Sequence, residues 1–368
     1  MSVIDWKQRG VARYEPGDRP LLETFQRENF GADAMQLAPD HFHWLFEEPP
    51  EREAEGVQLW VCKRNGAIVG QQGGIPFALK VGEKTRKASW AIDLMVAAEW
   101  RLRGVGPALS ETHMAASDLS VSLSMTDAAY KSYKRAGWAD LGSIPTYLRV
   151  LDPQRCLRVS PYGGGLAKLV ARIGKPALTT ASFGYASAAR ALGAKLVEIG
   201  SFDYRVDELW EAAALQHAVI ARRDWAFLNW RFDANPRADR HRRFYVMRGE
   251  KILAYVVLRV DHWKGEPVGV VCDYLARPGW LMSTFALVTE TARREGMAAL
   301  MCRTLNAHAA RPLSMMGFLC LKNGLRAPTR MMVRPALDQP ELTPLVGDPK
   351  SWFVTTADSD MGFKGLGE

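Results

Sequence analysis

The feature that most constrains the fold is an internal repeat, in which short segments of the second half of the sequence match segments of the first half in the same order. Trp44 and Trp230 are offset by 186 residues, and Asp93 and Asp273 by 180. Self-similarity at a nearly constant offset predicts a duplicated domain. The matching segments are 43–50 with 229–236, 61–70 with 246–255, 92–97 with 272–277, and 126–138 with 306–318.

Each copy has the alternating pattern of an α/β domain. In the first copy, strand-like runs at 57–64, 67–81 and 87–96 follow two helix-like segments, and "NG" at 65–66 predicts a tight hairpin turn. We therefore expect two α/β domains, each with a mixed, largely antiparallel central sheet flanked by helices. Pro153 and the glycine-rich "SPYGGG" at 160–165 suggest the boundary. The expected divisions are an N-terminal domain 1–152, a connecting segment 153–200, a second domain 201–335 and a tail 336–368.

Composition, hydropathy and charge limit the cellular compartment and the classes of partner that we expect for this chain. No apolar run reaches the ~18 residues of a membrane span, and the N-terminus lacks the apolar core of a secretion signal, so we expect a cytoplasmic protein. The net charge of +8 favours anionic partners, but basic clusters such as "RADRHRR" are interrupted and do not indicate nucleic acid. The five scattered cysteines and seven histidines show no metal-ligand spacing, so no metal is expected.

One stretch carries the signs of an anion-binding loop. The strand-like run 87–96 leads into "RLRGVG" at 101–106, and a helix follows with Pro107 in its first turn. Glycines there let a ligand approach the backbone, while arginines and helix N–H groups attract negative charge. A Walker loop would end in Gly-Lys-Ser/Thr, and a Rossmann fingerprint would need glycine where Leu109 stands. The pattern favours a pyrophosphate held by a third type of loop.

That third type resembles the acyl-CoA loop of the GNAT N-acetyltransferase superfamily, with its Arg/Gln-x-x-Gly-x-Gly/Ala core. This chain has Arg101-x-x-Gly104-x-Gly106. The family's following motif, Asn-x-x-Ala-x-x-x-Tyr-x-x-x-Gly-Phe, is matched from Thr126 to Trp138, with threonine and tryptophan as substitutions. The resemblance covers about 18–150 well and 200–335 only in outline. It implies two tandem GNAT-like domains, of which the first binds acyl-CoA and the second is degenerate.

The resemblance also implies site residues. Acyl transfer needs a donor for the developing oxyanion, and the backbone of Leu94, Met95 and Val96 would supply it at the end of the central strand. Tyr133 matches the family's tyrosine that protonates the leaving thiolate, although it could simply pack under the sheet. Asp93 is a candidate base or water-orienting group, with a structural ion pair as the alternative. The pyrophosphate would be bound by the loop residues Arg101, Leu102, Arg103, Gly104, Val105 and Gly106.

These expectations describe an acyltransferase that moves an acyl group from acyl-CoA to an amine of a small-molecule acceptor. Acetyl-CoA is the expected donor. Homo-oligomers are possible. Fem-like aminoacyl transfer from tRNA is an alternative, but a tRNA-dependent enzyme needs no pyrophosphate loop. A non-catalytic protein that binds CoA in a retained fold is a second alternative, because the sequence offers no strong general base. The closing "KSWFVTTADSDMGF" at 350–363 suggests a final strand or a lid.

Overall fold

A computed structural model describes residues 10–54, 56–159, 175–322 and 328–361. The chain forms two compact units. Unit 1 comprises Met1–Gly142, Ala234–Pro236 and Arg330–Pro349, and unit 2 comprises Ser143–Asp233, Arg237–Thr329 and Lys350–Glu368. The glycine-rich 160–165 lies outside the described residues.

The sheet of unit 1 has the strand order β1-β2-β3-β4-β5-β16-β6, numbered along the chain. Every pairing is antiparallel from β1 to β4, while β4 and β5 are parallel. These strands are β1 (Val11–Arg13), β2 (Leu59–Arg64), β3 (Ala67–Val81), β4 (Lys84–Val96), β5 (Leu119–Leu123), β6 (Ala139–Ser143) and β16 (Arg330–Pro335).

The helices of unit 1 follow the same alternation. The expected turn at Asn65 and Gly66 joins β2 to β3, and both residues have the positive φ (49° and 77°) of a type I′ hairpin. The second of the two helix-like segments that precede the strands covers residues 39–47. Only its first turn is α-helical, and a π-helical turn, His43–Glu47, completes it. The α-helices are α1 (Arg19–Phe30), α2 (Pro39–Phe42), α3 (Val105–Met114), α4 (Asp127–Arg135) and α11 (Thr343–Val346).

Unit 2 repeats this plan. Its main sheet has the order β15-β7-β13-β12-β11-β10-β8, and β14, β17 and β9 pair beside one another. The strands are β7 (Thr146–Val150), β8 (Ala194–Ile199), β9 (Val219–Ala221), β10 (His241–Arg248), β11 (Lys251–Trp263), β12 (Glu266–Ala276), β13 (Ala299–Arg303), β14 (Leu305–Asn306), β15 (Leu319–Leu321) and β17 (Trp352–Val354). The helices are α5 (Pro153–Val159), α6 (Lys175–Ala191), α7 (Val206–Ala214), α8 (Trp225–Leu228), α9 (Leu281–Arg294) and α10 (Ala307–Met315).

The duplication is visible in the strand registers. Ala88 lies opposite Leu119 in the parallel pair of unit 1, and Val268 lies opposite Ala299 in that of unit 2, so both partners are offset by 180. A π-helical turn also recurs, since Asn229–Asp233 follows α8 as His43–Glu47 follows α2. The two units are therefore two versions of one α/β plan.

The two units exchange one strand each. β7, which the sequence places in the N-terminal domain, lies between β13 and β15 of unit 2. β16, from near the end of the chain, lies between β5 and β6 of unit 1. Within the segment 153–200, β8 is an edge strand of the unit 2 sheet. The bounds of the two units therefore differ from the expected domain boundaries at 152, 200 and 335. Strand alternation in the sequence does not specify which sheet a strand joins.

Candidate active site

The central feature of unit 1 is an opening between β4 and β5. These parallel strands pair only from Ala88 to Trp90, opposite Leu119 to Val121. β4 nevertheless continues to Val96 and stays paired with β3 up to that residue, which lies opposite Gly70. Beyond Trp90, the β5-facing edge of β4 therefore has no ladder to β5. Leu94, Met95 and Val96 lie on this open stretch, where backbone groups can bind an extended ligand.

A β-bulge lies within the open stretch. Gly73 is opposite Ile92 and Gln71 is opposite Met95, so Asp93 and Leu94 together face the single residue Gln72. The φ of Asp93 is 51°, in the left-handed region that a residue with a Cβ rarely adopts. Bulges of this kind re-aim a side chain and break a strand ladder, and they are frequent beside active sites. The bulge points the Asp93 side chain away from the regular pleat.

The expected anion-binding loop connects the open strand to α3. Gly104 caps the helix with a φ of 82°, and Leu102, which is fully exposed, has a φ of 61°. The Arg101 Nε donates to the carbonyl of Val96 at 3.1 Å, and the Arg103 guanidinium lies 5.5 Å from the Trp100 ring centroid. Both arginines are exposed. Two cations thus flank a helix start whose first N–H groups have no helical partner.

The two loop glycines differ in their backbone conformation and in the space around them. Gly104 needs the left-handed conformation that glycine adopts without strain. At Gly106, an added Cβ would meet only Val96 Cγ2, at 3.7 Å, which is ordinary contact. The backbone of Gly106 also lies outside the left-handed region. The described chain therefore gives no steric reason for glycine at 106, and the open space above it fits an anionic ligand that approaches the backbone. Val105, between them, is buried and anchors the helix to the core.

Tyr133 lies on α4 under the open end of β4. Its ring is 2% exposed and stacks on Trp138 with 4.4 Å between centroids. Its hydroxyl interacts with the side chains of Ser122 and Gln72, and burial raises the pKa of Tyr133 to about 12. The Gln72 amide in turn donates to the carbonyl of Ile92 at 2.7 Å. The hydroxyl is thus linked through one glutamine to the backbone of the bulge.

Asp93 is surrounded by glutamines. Gln36 Nε2 donates to its carboxylate Oδ1 at 2.9 Å. Gln71 Nε2 approaches the Asp93 carbonyl at 3.4 Å, and Gln26 donates to Gln71 at 3.1 Å. Gln26, Gln71 and Gln72 are at most 1% exposed. Sequence reasoning missed these amides, although two consecutive glutamines in the largely apolar strand "AIVGQQGGIPFALKV" were a readable signal, because a buried amide needs a specific partner.

Leu94 connects the expected donor loop to Tyr133. Its side chain packs against the core cluster that contains Val105 and Leu109 of α3, and also against the cluster that contains Tyr133. Asp93 instead contacts Gln36, from the turn before α2. The structure therefore brings the strand, the loop and the tyrosine together, while the aspartate faces a separate set of amides.

Two further observations concern the described residues as a whole. None of their helices is both long and apolar enough to cross a bilayer. Within the same ranges, no group of three or more His, Cys, Asp or Glu side chains is arranged to hold a metal ion.

The comparisons agree with this geometry. Residues 29–140 match the family model described as acetyltransferase (GNAT) domain. No curated protein matches the sequence significantly. A GCN5-related N-acetyltransferase from Anabaena variabilis is similar in structure with a TM-score of 0.60 and 13% identity, over 89% of this chain and 72% of that one. A probable N-acyltransferase from Enterococcus faecalis is similar with a TM-score of 0.57 and 11% identity, over the same shares of the two chains.

A third similar structure has a bound acyl donor. N-myristoyltransferase from Saccharomyces cerevisiae, determined with bound myristoyl-CoA, matches with a TM-score of 0.53 and 12% identity, over 88% of this chain and 78% of that one. At these identities the likeness establishes the fold alone. The family match identifies an acetyltransferase (GNAT) domain at residues 29–140, within unit 1, and the described chain shares its fold with these structures.

Proposed function

We propose that the protein is an acyl-CoA-dependent N-acyltransferase that moves an acetyl group from acetyl-CoA to an amine of a small-molecule acceptor. The observation that carries the proposal is the loop before α3. Gly106 leaves open space above a helix start flanked by Arg101 and Arg103, which is what a pyrophosphate requires. In this proposal unit 1 binds the donor.

The donor would lie along the open edge of β4. Backbone N–H groups of Leu94 to Val96 would stabilise the oxyanion that develops on the thioester carbonyl. The amine nitrogen forms the new C–N bond, the C–S bond breaks, and the thiolate leaves. The products are an amide and free CoA thiol. The neutral amine loses one proton and the thiolate gains one, so the step is balanced.

The pKa values decide how Tyr133 would act. A thiol has a pKa of about 8.5, whereas burial raises the pKa of Tyr133 to about 12. Full proton transfer from the tyrosine to the thiolate would therefore be uphill by about 3.5 pKa units. The hydroxyl is protonated at neutral pH and would stabilise the thiolate as a hydrogen-bond donor. The attacking amine, which is strongly acidic once the C–N bond forms, would supply the proton that ends on sulfur.

Calorimetry with CoA, followed by an amine screen that detects released thiol, tests the proposal. We expect CoA to bind the wild-type chain and at least one amine to be acetylated. CoA binding without turnover on any amine would favour the non-catalytic alternative. Cys320 is exposed and would add to the thiol signal if it were labelled, so a Cys320→Ser chain is the matched background for the screen. Absence of CoA binding would refute the assignment.

A further inference from the structure

The apex of the opening in unit 1 lies where β4 and β5 stop pairing. Trp90 lies opposite Val121 in the last pair of this parallel ladder. Ala91 and Ser122 are the next residues of the two strands, so they flank the apex. Ser122 is buried, and its Oγ donates to the carbonyl of Ala91 at 3.5 Å, the outer limit of a hydrogen bond. The Ser122 hydroxyl is therefore only weakly bound at the point where the strands separate.

Tyr133 lies over this apex. It belongs to one core cluster with Ala91 on β4 and Met332 on β16. Met332 lies opposite Ser122, so the serine stands between two strands whose residues belong to the cluster of the tyrosine. Burial raises the pKa of Tyr133, and hydrogen bonds of its hydroxyl with Ser122 and Gln72 act in the opposite direction. Two side chains of the sheet thus meet the phenol oxygen.

Of these two side chains, Ser122 has the hydrogen that can turn to the phenol oxygen. Gln72 Nε2 carries two hydrogens, and it donates to the backbone carbonyls of Ile92, at 2.7 Å, and Gly73, at 3.1 Å. Ser122 has one hydrogen, held by the long contact at the apex, and rotation about its Cβ–Oγ bond turns that hydrogen toward Tyr133. Ser122 is therefore the better donor to the tyrosine.

The chemistry of acyl transfer determines when Ser122 would turn. In the free protein the Tyr133 oxygen is a neutral acceptor, as the Ala91 carbonyl is. When the Tyr133 hydroxyl donates to a thiolate, negative charge spreads onto the phenol oxygen, and that oxygen becomes the stronger acceptor of the two. Hydrogen bonds in such a chain strengthen one another. Donation from Ser122 then stabilises the thiolate through the tyrosine.

We propose that Ser122 is a positioning residue for Tyr133, and that its hydroxyl donates to the tyrosine oxygen while the tyrosine hydroxyl donates to the leaving thiolate. The inference rests on the proposed acyl transfer and adds a second residue to the hydrogen bonds around the leaving sulfur. Both hydroxyls keep their own protons in this step, because the amine supplies the proton that ends on sulfur. Ser122 acts through the tyrosine alone.

Ser122→Ala in the whole chain tests the inference, because it removes the hydroxyl and keeps the backbone and Cβ. We expect the single-turnover rate, measured with the amine that the screen finds to be acetylated fastest, to fall by about 2- to 12-fold, the range for one neutral hydrogen bond. The Kd for acetyl-CoA should barely change. In the Tyr133→Phe background, Ser122→Ala should lower the rate no further, because the group through which the serine acts is absent.

A second measurement reports on the thiolate itself. The pKa of the CoA thiol in its complex with the protein is obtained from the ultraviolet absorbance of the thiolate in a pH titration. Ser122→Ala should raise that pKa by up to about one unit, since a tenfold loss of stabilisation corresponds to one pKa unit. A serine that merely fills space would leave the pKa of the bound thiol unchanged and lower only the melting temperature.

Ser120→Ala is the matched control. Ser120 lies two residues earlier on the same face of β5 and is also buried, and its Oγ lies 3.5 Å from Nδ1 of His113. This variant should leave the rate and the pKa of the bound thiol unchanged. Ser122→Cys, which keeps a weak S–H donor, covers the case in which Ser122→Ala does not fold, and it should lower the rate only when Tyr133 is present.

The outcomes separate this inference from the proposed function. An unchanged rate in Ser122→Ala, an unchanged pKa of the bound thiol, or an equal loss of rate in the Tyr133→Phe background would overturn the inference alone. An intact rate in Tyr133→Phe would overturn it together with the role of the tyrosine, but not acyl transfer. A wild-type chain that binds no CoA or acetylates no amine would overturn the proposed function and this inference with it.

Discussion

Gly106→Ala should stabilise the protein and weaken its binding of CoA. The glycine is the second residue of α3, and an added Cβ would meet only Val96 Cγ2, at 3.7 Å. Alanine loses less conformational freedom on folding than glycine and is the better helix former. The folded state should therefore gain about 0.4–1 kcal/mol.

The effect on binding has the opposite sign. If the pyrophosphate lies against the backbone at 106, the methyl group displaces it from the helix N–H groups. One hydrogen bond to a charged group contributes about 1.5–3 kcal/mol, so its loss should raise the Kd for CoA by about 10- to 150-fold. Gly104→Ala tests this less well, because the φ of 82° at that residue would add backbone strain.

Calorimetry gives the Kd, and urea unfolding gives the free energy of unfolding of the same preparation. Gly184→Ala is the matched control: Gly184 lies in helix α6 with no atom within 4 Å of its added Cβ. That variant should match or exceed the wild-type stability and bind CoA normally. A Gly106→Ala protein that is more stable and binds CoA as tightly as wild type would refute the placement of the pyrophosphate.

Three further predictions concern buried groups. Tyr133→Phe should lower the single-turnover rate by about 10²-fold, because it removes a hydrogen bond to the thiolate, and it should change the CoA affinity little. An intact rate with a lower melting temperature would show that the tyrosine is purely structural. Burial lowers the pKa of His113 to about 3, whereas in the unfolded chain this histidine is protonated near pH 6.5. Between these two pH values the unfolded chain binds more protons than the folded chain. The free energy of unfolding should therefore fall by up to about 1.4 kcal/mol for each unit by which the pH is lowered. Urea unfolding at several pH values should show a smaller slope in His113→Asn, and an identical slope would contradict the assignment. Asp358→Asn should cost about 3–5 kcal/mol in thermal or urea unfolding, because it leaves the fully buried Arg223 without its closest carboxylate; a near-neutral effect would mean that the pair contributes little.

The sequence predicts the parts of this fold that depend on local chemistry. Asn65 and Gly66 form the expected hairpin turn, and the loop glycines precede a helix as their spacing indicates. The closing stretch, expected to be a strand or a lid, does contain a strand, Trp352–Val354. Each of these features is determined by residues within about ten positions of one another.

Features that depend on distant partners could not be predicted in this way. The runs that form β7 and β16 alternate as strands, but nothing in the alternation states which sheet accepts them. The contact of Gln36 with Asp93 joins residues 57 positions apart, and a single polar residue in a turn gives no sign of it. The assignments of Tyr133 and Asp93 to catalysis remain predictions for the same reason, because a role in chemistry depends on a substrate as well as on the fold.

The strand exchange has a consequence for how the protein is made. On the ribosome, residues through 143 emerge about 190 positions before β16, which lies between β5 and β6. At roughly 5–20 residues per second, the nascent chain carries two unpaired strand edges for about 10–40 s. Such edges are templates for pairing with other chains, so we expect a risk of aggregation during this interval of synthesis. A fragment that stops near residue 150 would keep that state permanently, and for this reason the two units are better compared by single substitutions in the whole chain than by cutting it.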